Sequence, residues 1–401
     1  MGFTGSEGCR DCHERFYELW APSHHGLAMQ EFSPEFARTQ VTPQVGQVEI
    51  GDSRYMAELR DGDGWVVETG PTGENRYQID FALGGKNVYY FLTPMERGRL
   101  QVLPLAYDVR EQVWYDTTAS MVRHFFGVED EALDWREQPL TFNTSCYSCH
   151  VSQLSTNYDL KSDSYDTEWT EPGINCETCH GPGGEHVRVF REAPEGTIPE
   201  DIKIIRTSDF TSGQLNDLCA TCHAKMSPLT SSFSPGDRFF DHFFIHAFEH
   251  SDYYPDGRDL GENFTHTLWL LSPCAVSGEL DCMHCHTSSG RNRHTGEEAD
   301  NACRPCHDQY VDDPAAHSFH LAESSGSRCV GCHMPSTFFA RMERHDHSML
   351  PPTPATSIAF KSPNACNICH EDQTAEWADR WVREWYPTDY QSKVLHRAAL
   401  V

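Results

Sequence analysis

Nothing in the chain's 401 residues approaches the roughly 20 consecutive apolar residues that a membrane-spanning helix needs. Positive charge is also scarce. Lys and Arg number 31 against 60 Asp and Glu, a formal net charge of -29. That deficit argues against a nucleic-acid backbone or an anionic membrane surface as a partner. Large apolar residues are thin as well, because only 38% of the chain is hydrophobic. A chain long enough for two or three domains thus has little side-chain core for its length. No basic, apolar secretion leader is visible either; the sequence opens Met1-Gly2-Phe3-Thr4-Gly5.

What the chain does have is cysteine followed by histidine. Sixteen of its 17 cysteines fall into one repeated word, Cys-x-x-Cys-His. The word occurs at Cys9-Cys12-His13, Cys146-Cys149-His150, Cys176-Cys179-His180 and Cys219-Cys222-His223. It recurs at Cys282-Cys285-His286, Cys303-Cys306-His307, Cys329-Cys332-His333 and Cys366-Cys369-His370. Random placement at this composition would give about 0.04 copies. Structural zinc, iron–sulfur clusters and disulfides all use paired cysteines, but none explains a histidine directly after every pair. Covalent c-type haem does. Two thioethers anchor the porphyrin, and the adjacent imidazole lies under it as proximal iron ligand. Eight words imply eight haems, about one per 50 residues. Each haem is a large apolar plate, which would supply the core that side chains do not.

The words are unevenly spaced. Cys9 and Cys146 stand 137 residues apart, while the later gaps run from 21 to 63. Within the long gap, residues 47–60, 64–69, 76–83, 87–93, 99–107 and 112–116 are rich in Val, Tyr, Trp, Phe and Leu. Asp61-Gly62-Asp63-Gly64, Pro71-Thr72-Gly73 and Gly84-Gly85 punctuate them, a pattern of hairpins. The expected fold class is therefore mostly irregular chain and short α-helices organised around eight covalent haems, with an inserted small antiparallel β module. The expected layout is a first haem segment at 1–39, a β-rich insert at 40–120 and a seven-haem core at 121–401. Local signals predict a helix capped by Ser212 and running through Gln214 to Cys222, and another with Pro314 in its first turn carrying His317 and His320. Trp377, Trp381 and Trp385 mark one face of a final helix and read as packing. His242, His246 and His250 share one helical face, which could hold a separate metal or a single ligand. Cys274 reads as a buried free thiol, with an intermolecular disulfide as the alternative.

The eight motif histidines leave fifteen of 23, enough for a second imidazole on every iron. His25 follows Trp20 and Pro22 on the first helix. His186 follows the Gly181-Pro182-Gly183-Gly184 turn, within reach of a neighbouring haem. His317 and His320, one helical turn apart, could serve two adjacent irons. His347 follows Asp346, a carboxylate that could orient its imidazole. His124, His242, His266 and His294 complete the candidates for distal ligation.

Five segments carry a family resemblance: GSEGCRDCHERFYELWAPSHHGLAM at 5–29, GRLQVLPLAYD at 98–108, SYDTEWTEPGINCETCHGPGGEHV at 164–187, PGDRFFDH at 235–242 and SPNACNICH at 362–370. Together they resemble the multihaem c-type cytochromes of sediment and metal-cycling bacteria. The resemblance implies His25, His186, His317, His320 and His347 as distal ligands. Relatives often carry Asp-Pro-His after the fifth motif, where this chain has Thr287-Ser288-Ser289. That departure leaves His294 or an open iron at the fifth site. Relatives also often continue into tetratricopeptide-type repeats, whereas this chain stops soon after the eighth motif.

Iron held by two imidazoles has no open position for substrate, so the expectation is an electron carrier without chemistry of its own. It would be extracytoplasmic, periplasmic or extracellular, because c-type haem is attached outside the bacterial cytoplasm. Its partners would be other redox proteins or mineral acceptors, or further copies joined haem to haem in a conducting filament. The alternative is an octahaem oxidoreductase that turns over a small nitrogen or sulfur compound at one open iron; a haem store is a third class.

Overall fold

The computed structural model describes residues 2–60, 62–125, 130–262 and 264–401. The chain divides into two units. One comprises Met1–Val122, Glu131–Phe210 and Ser234–Asp237; the other comprises Arg123–Asp130, Thr211–Phe233 and Arg238–Val401.

Nine strands of the first unit fall between the first two words, most of them on the apolar segments that the turn residues punctuate. They are β1 (Met29–Glu31), β2 (Val48–Ile50), β3 (Ser53–Arg60), β4 (Asp63–Gly70), β5 (Gly73–Gln78), β6 (Phe81–Leu83), β7 (Val88–Pro94), β8 (Leu100–Asp108) and β9 (Val113–Asp116). Strands β2-β3-β4-β5 form one antiparallel sheet and β1-β6-β7-β8-β9 another. Strand β1, from before the predicted hairpins, pairs Met29 with Leu83. Both sheets contribute to one core: Tyr55, Ala57 and Val66 join Tyr89, Phe91, Leu103, Leu105 and Tyr107. Strand β8 is buried along nearly its whole length, as a strand flanked by β7 and β9 should be. Between β6 and β7 the chain turns at Gly84, with φ +84; a Cβ there would stand 2.7 Å from the Val88 carbonyl oxygen.

Glu68 of β4 anchors a buried polar network beside this core. Its carboxylate accepts from Tyr55 Oη at 2.7 Å, Tyr77 Oη at 2.9 Å, Asn75 Nδ2 at 3.2 Å and Arg136 Nη2 at 2.8 Å. Burial alone would raise the pKa, but these donors reverse the effect and hold it at about 2 against an ordinary 4.5. The carboxylate thus contributes about 3 kcal/mol that is fully present above pH 4.5 and lost as pH falls toward 2. Glu68→Gln is expected to lower chemical-denaturation stability near neutral pH by about 2–3 kcal/mol and to flatten the acid limb. A variant whose stability still falls steeply between pH 4.5 and 2 would assign that limb to other carboxylates.

The second unit is built from short helices. Thr211, rather than Ser212, caps the helix Ser212–His223: its hydroxyl accepts from Gln214 N, and the Gln214 side chain accepts from Thr211 N. One residue of register matters here because only Thr211 has the extended backbone that an N-cap needs. Pro314 opens the helix Pro314–Ser318, but this helix stops before His320 at Phe319, whose φ of 58 is left-handed. The tryptophan helix is Ala375–Trp385, and Gln391–Ala398 follows it, so it is not the final helix.

Candidate metal centres

A Cys-x-x-Cys-His word written on a helix places both thiols and the imidazole on one face, since positions i, i+3 and i+4 are neighbours there. Several words sit on such turns. Helices Cys176–His180 and Cys329–His333 consist of the word itself, and Ser212–His223 ends on one. The first word lies inside the helix Gly5–Trp20, which kinks at His13 (φ -121, ψ 37). In others the histidine caps the turn: His286 follows Cys282–Cys285, and His370 follows Ala365–Cys369.

Four motif imidazoles each face an imidazole from outside the motifs. Ring centres of His13 and His186 are 6.3 Å apart, with 17° between planes. The corresponding values are 6.3 Å and 29° for His286 and His347, and 6.1 Å and 13° for His333 and His317. His370 and His320 stand at 6.2 Å and 37°. Two metal–imidazole bonds of about 2 Å, with about 1.1 Å from each ring nitrogen to its ring centre, span about 6.2 Å. The residues therefore fit an iron between each pair. Ordinary aromatic packing spans a similar range of separations. It gives no reason, however, for one motif and one non-motif histidine at nearly the same distance four times over.

Hydrogen bonds reinforce the fit. His186 Nδ1 faces Ile202 O at 2.7 Å, His320 Nδ1 faces Ser318 O at 2.6 Å, and His347 Nδ1 faces His345 O at 2.8 Å. On the motif side, His150 Nδ1 faces Ala28 O at 2.6 Å and His180 Nδ1 faces Ile205 O at 3.0 Å. A carbonyl can only accept, so the proton sits on Nδ1 and the Nε2 lone pair is left for a metal. For His347 a main-chain carbonyl does what was expected of Asp346. That carboxylate instead pairs with Arg258 Nη1 at 3.4 Å and accepts from Ser348 N. Burial pushes His347 down to about 4, so it is neutral and able to ligate at physiological pH.

All 17 cysteines are free of disulfides. Thiols from different words nevertheless meet. Cys9 neighbours Cys176 within the first unit; Cys282 neighbours Cys219, and Cys303 neighbours Cys329, within the second. Cys285 lies within electrostatic reach of Cys303, and Cys332 within reach of Cys366 and Cys369. Words four to eight thus follow one another in space as in sequence. Among the described residues, no group of three or more His, Cys, Asp or Glu could hold a metal ion. Cys274 is half-buried.

The remaining candidates have other settings. His25 lies beyond the first helix rather than on it; its carbonyl accepts from Ile174 N at 2.9 Å, just ahead of the third word. His242 ends a helix at Phe239–His242, and the chain then becomes strand Phe243–Ile245, so His242, His246 and His250 share no helical face. The His242 ring contacts Thr230 Oγ1 at 2.7 Å. His266 is buried, pushed down to about 4 by desolvation, with a sealed Nε2 that has no hydrogen-bond partner. His124 adjoins Arg123, whose guanidinium pairs with Asp130 and Asp252. The imidazole facing His286 is that of His347, not His294.

Sequence reasoning missed an aromatic wall. Trp377 packs on His370 at 4.9 Å, Trp385 on His320 at 5.8 Å, and Trp381 lies between them at 6.4 and 5.7 Å. The four-residue tryptophan spacing was visible, but its proximity to both imidazoles of a pair was not.

Residues 115–181, spanning the second and third words, match the family model of cytochrome c554 and c-prime. No curated protein matches the chain. Among solved structures, an undecaheme cytochrome from the S-layer of Carboxydothermus ferrireducens aligns at 15% identity and TM-score 0.46, over 99% of this chain and 65% of that one. The outer cell wall cytochrome OcwA aligns at 15% identity over 96% of this chain and 86% of its own, with a TM-score of 0.61, so the chain shares the fold of that cytochrome.

Proposed function

We propose that the protein is an extracytoplasmic c-type cytochrome that moves electrons over long range through eight covalent haems. The four facing imidazole pairs carry this reading, because each joins one motif histidine to one outside the motifs at iron-spanning distance. When bound, haem iron supplies reversible one-electron chemistry. The sixteen motif cysteines would tether the porphyrins, and the eight motif histidines would hold the irons. His186, His317, His320 and His347 would each give a second imidazole to one of four irons, and His25 would serve one near the third word. Main-chain carbonyls lock the tautomers of His186, His320 and His347, and the tryptophan wall packs on both imidazoles of one pair. The meeting thiols would bring successive porphyrin edges close together. Location outside the cytoplasm accords with the outer cell wall setting of OcwA. A charge of -29, made more negative by haem propionates, suits cationic protein partners or mineral surfaces, and exposed haem edges on two copies would let them join into a filament.

A spectroscopic redox titration of the purified holoprotein tests this reading. Eight low-spin haems titrating over a broad potential range are expected. A large high-spin fraction that binds carbon monoxide would overturn the carrier reading in favour of an oxidoreductase with an open iron.

A further inference from the structure

The imidazoles facing His13, His286 and His370 all turn Nδ1 to a main-chain carbonyl. His317, facing His333, differs: its Nδ1 stands 3.2 Å from the hydroxyl of Tyr386. The same hydroxyl also bonds the His317 carbonyl oxygen. A carbonyl needs a donor, so the phenol proton points at it, and the phenol oxygen is left to accept from Nδ1–H. The result is a closed loop, ring to hydroxyl to the ring's own main chain, that fixes both tautomer and rotamer. Tyr386 is held in place by its own packing, with its ring centre 5.7 Å from His317 and 5.8 Å from Phe319. Tyr310 covers His317 from elsewhere at 4.7 Å.

We infer that Tyr386 is a positioning residue for the iron of the seventh word, setting the basicity of His317 through its hydroxyl. This rests on the haem reading above. Accepting from Nδ1–H makes the imidazole a stronger electron donor and favours ferric iron. Without the hydroxyl, the imidazole becomes a poorer donor and the potential rises.

The test compares Tyr386→Phe and Tyr386→Leu with the parent holoprotein by protein-film voltammetry, low-spin electron paramagnetic resonance and intact mass. Tyr386→Phe keeps the ring and removes only the hydroxyl. One haem of eight is expected to shift upward by about tenfold in its oxidation equilibrium, about 59 mV for one electron, with changed g-values and unchanged haem count. Tyr386→Leu should shift the same haem at least as far. If Tyr386→Phe matches the parent and only Tyr386→Leu differs, the ring packs and the hydroxyl does nothing, which overturns the inference alone. An intact mass showing no haem at Cys329 and Cys332 in the parent would overturn both this inference and the reading beneath it.

Discussion

Made without haem attachment, the chain is expected to keep the two large sheets of its first unit and lose the helices of its second. The reason lies in where apolar side chains meet. Among the described residues, a large cluster runs from Met29 to Val151 and is filled mainly by strands β3 to β9. Within the second unit the described residues include a small cluster of Ala220, Ala224 and Phe239. The helices Pro354–Phe360, Ala375–Trp385 and Gln391–Ala398 bury mainly Ala355, Ala378, Val382, Val394 and Ala398, which are small and remove little area from water. The motif helices are four or five residues long in several cases, far below the roughly 12–15 that hold together unaided. Porphyrin must therefore supply the missing apolar partner. Limited proteolysis of apoprotein, read by mass spectrometry, should leave a resistant fragment containing Met29 to Phe142, with cuts throughout 211–401. Holoprotein should resist across both regions. Equal resistance of 211–401 in the apoprotein would mean that side chains alone hold that unit, and the argument from thin apolar content would fail.

How far the sequence discloses this follows from what fixes each feature. Thioether chemistry demands two cysteines and a histidine at one spacing, so all eight words are legible without a structure. The sheets are legible because their alternation and their turn residues at Gly84-Gly85 are local. Facing imidazoles are less so: His186 and His13 are joined by a fold, not by a spacing. Residues 242–250 misled in the opposite sense. A spacing of four suggested a helix, but Phe243–Ile245 pairs with Met226–Pro228, and cross-strand hydrogen bonding with aromatic packing overrides the local pattern. Tyr386 belongs to no motif, and its role arises only from contact with His317.

Exchanging His317 and His320 for methionine, singly and together, should raise the potentials of two different irons. Only two residues separate these histidines, yet His317 faces His333 and His320 faces His370. The divergence is made at Phe319. Its left-handed backbone ends the helix, at a cost of about 1 kcal/mol for a residue with a Cβ. Its ring offsets that cost by stacking on Trp385 at 5.0 Å and 8°. The chain reverses there and sends the second imidazole to the other word. A thioether in place of an imidazole raises haem potential, within a ligand-controlled range of about 0.8 V, so each single exchange should move one voltammetric component by roughly 0.1–0.3 V. The double variant should move two components, each by nearly its single-variant shift, because the two ligands would act on separate irons. If both single variants moved the same component, or the double moved only one, His317 and His320 would share an iron, and the pairing of the seventh and eighth words would have to be redrawn.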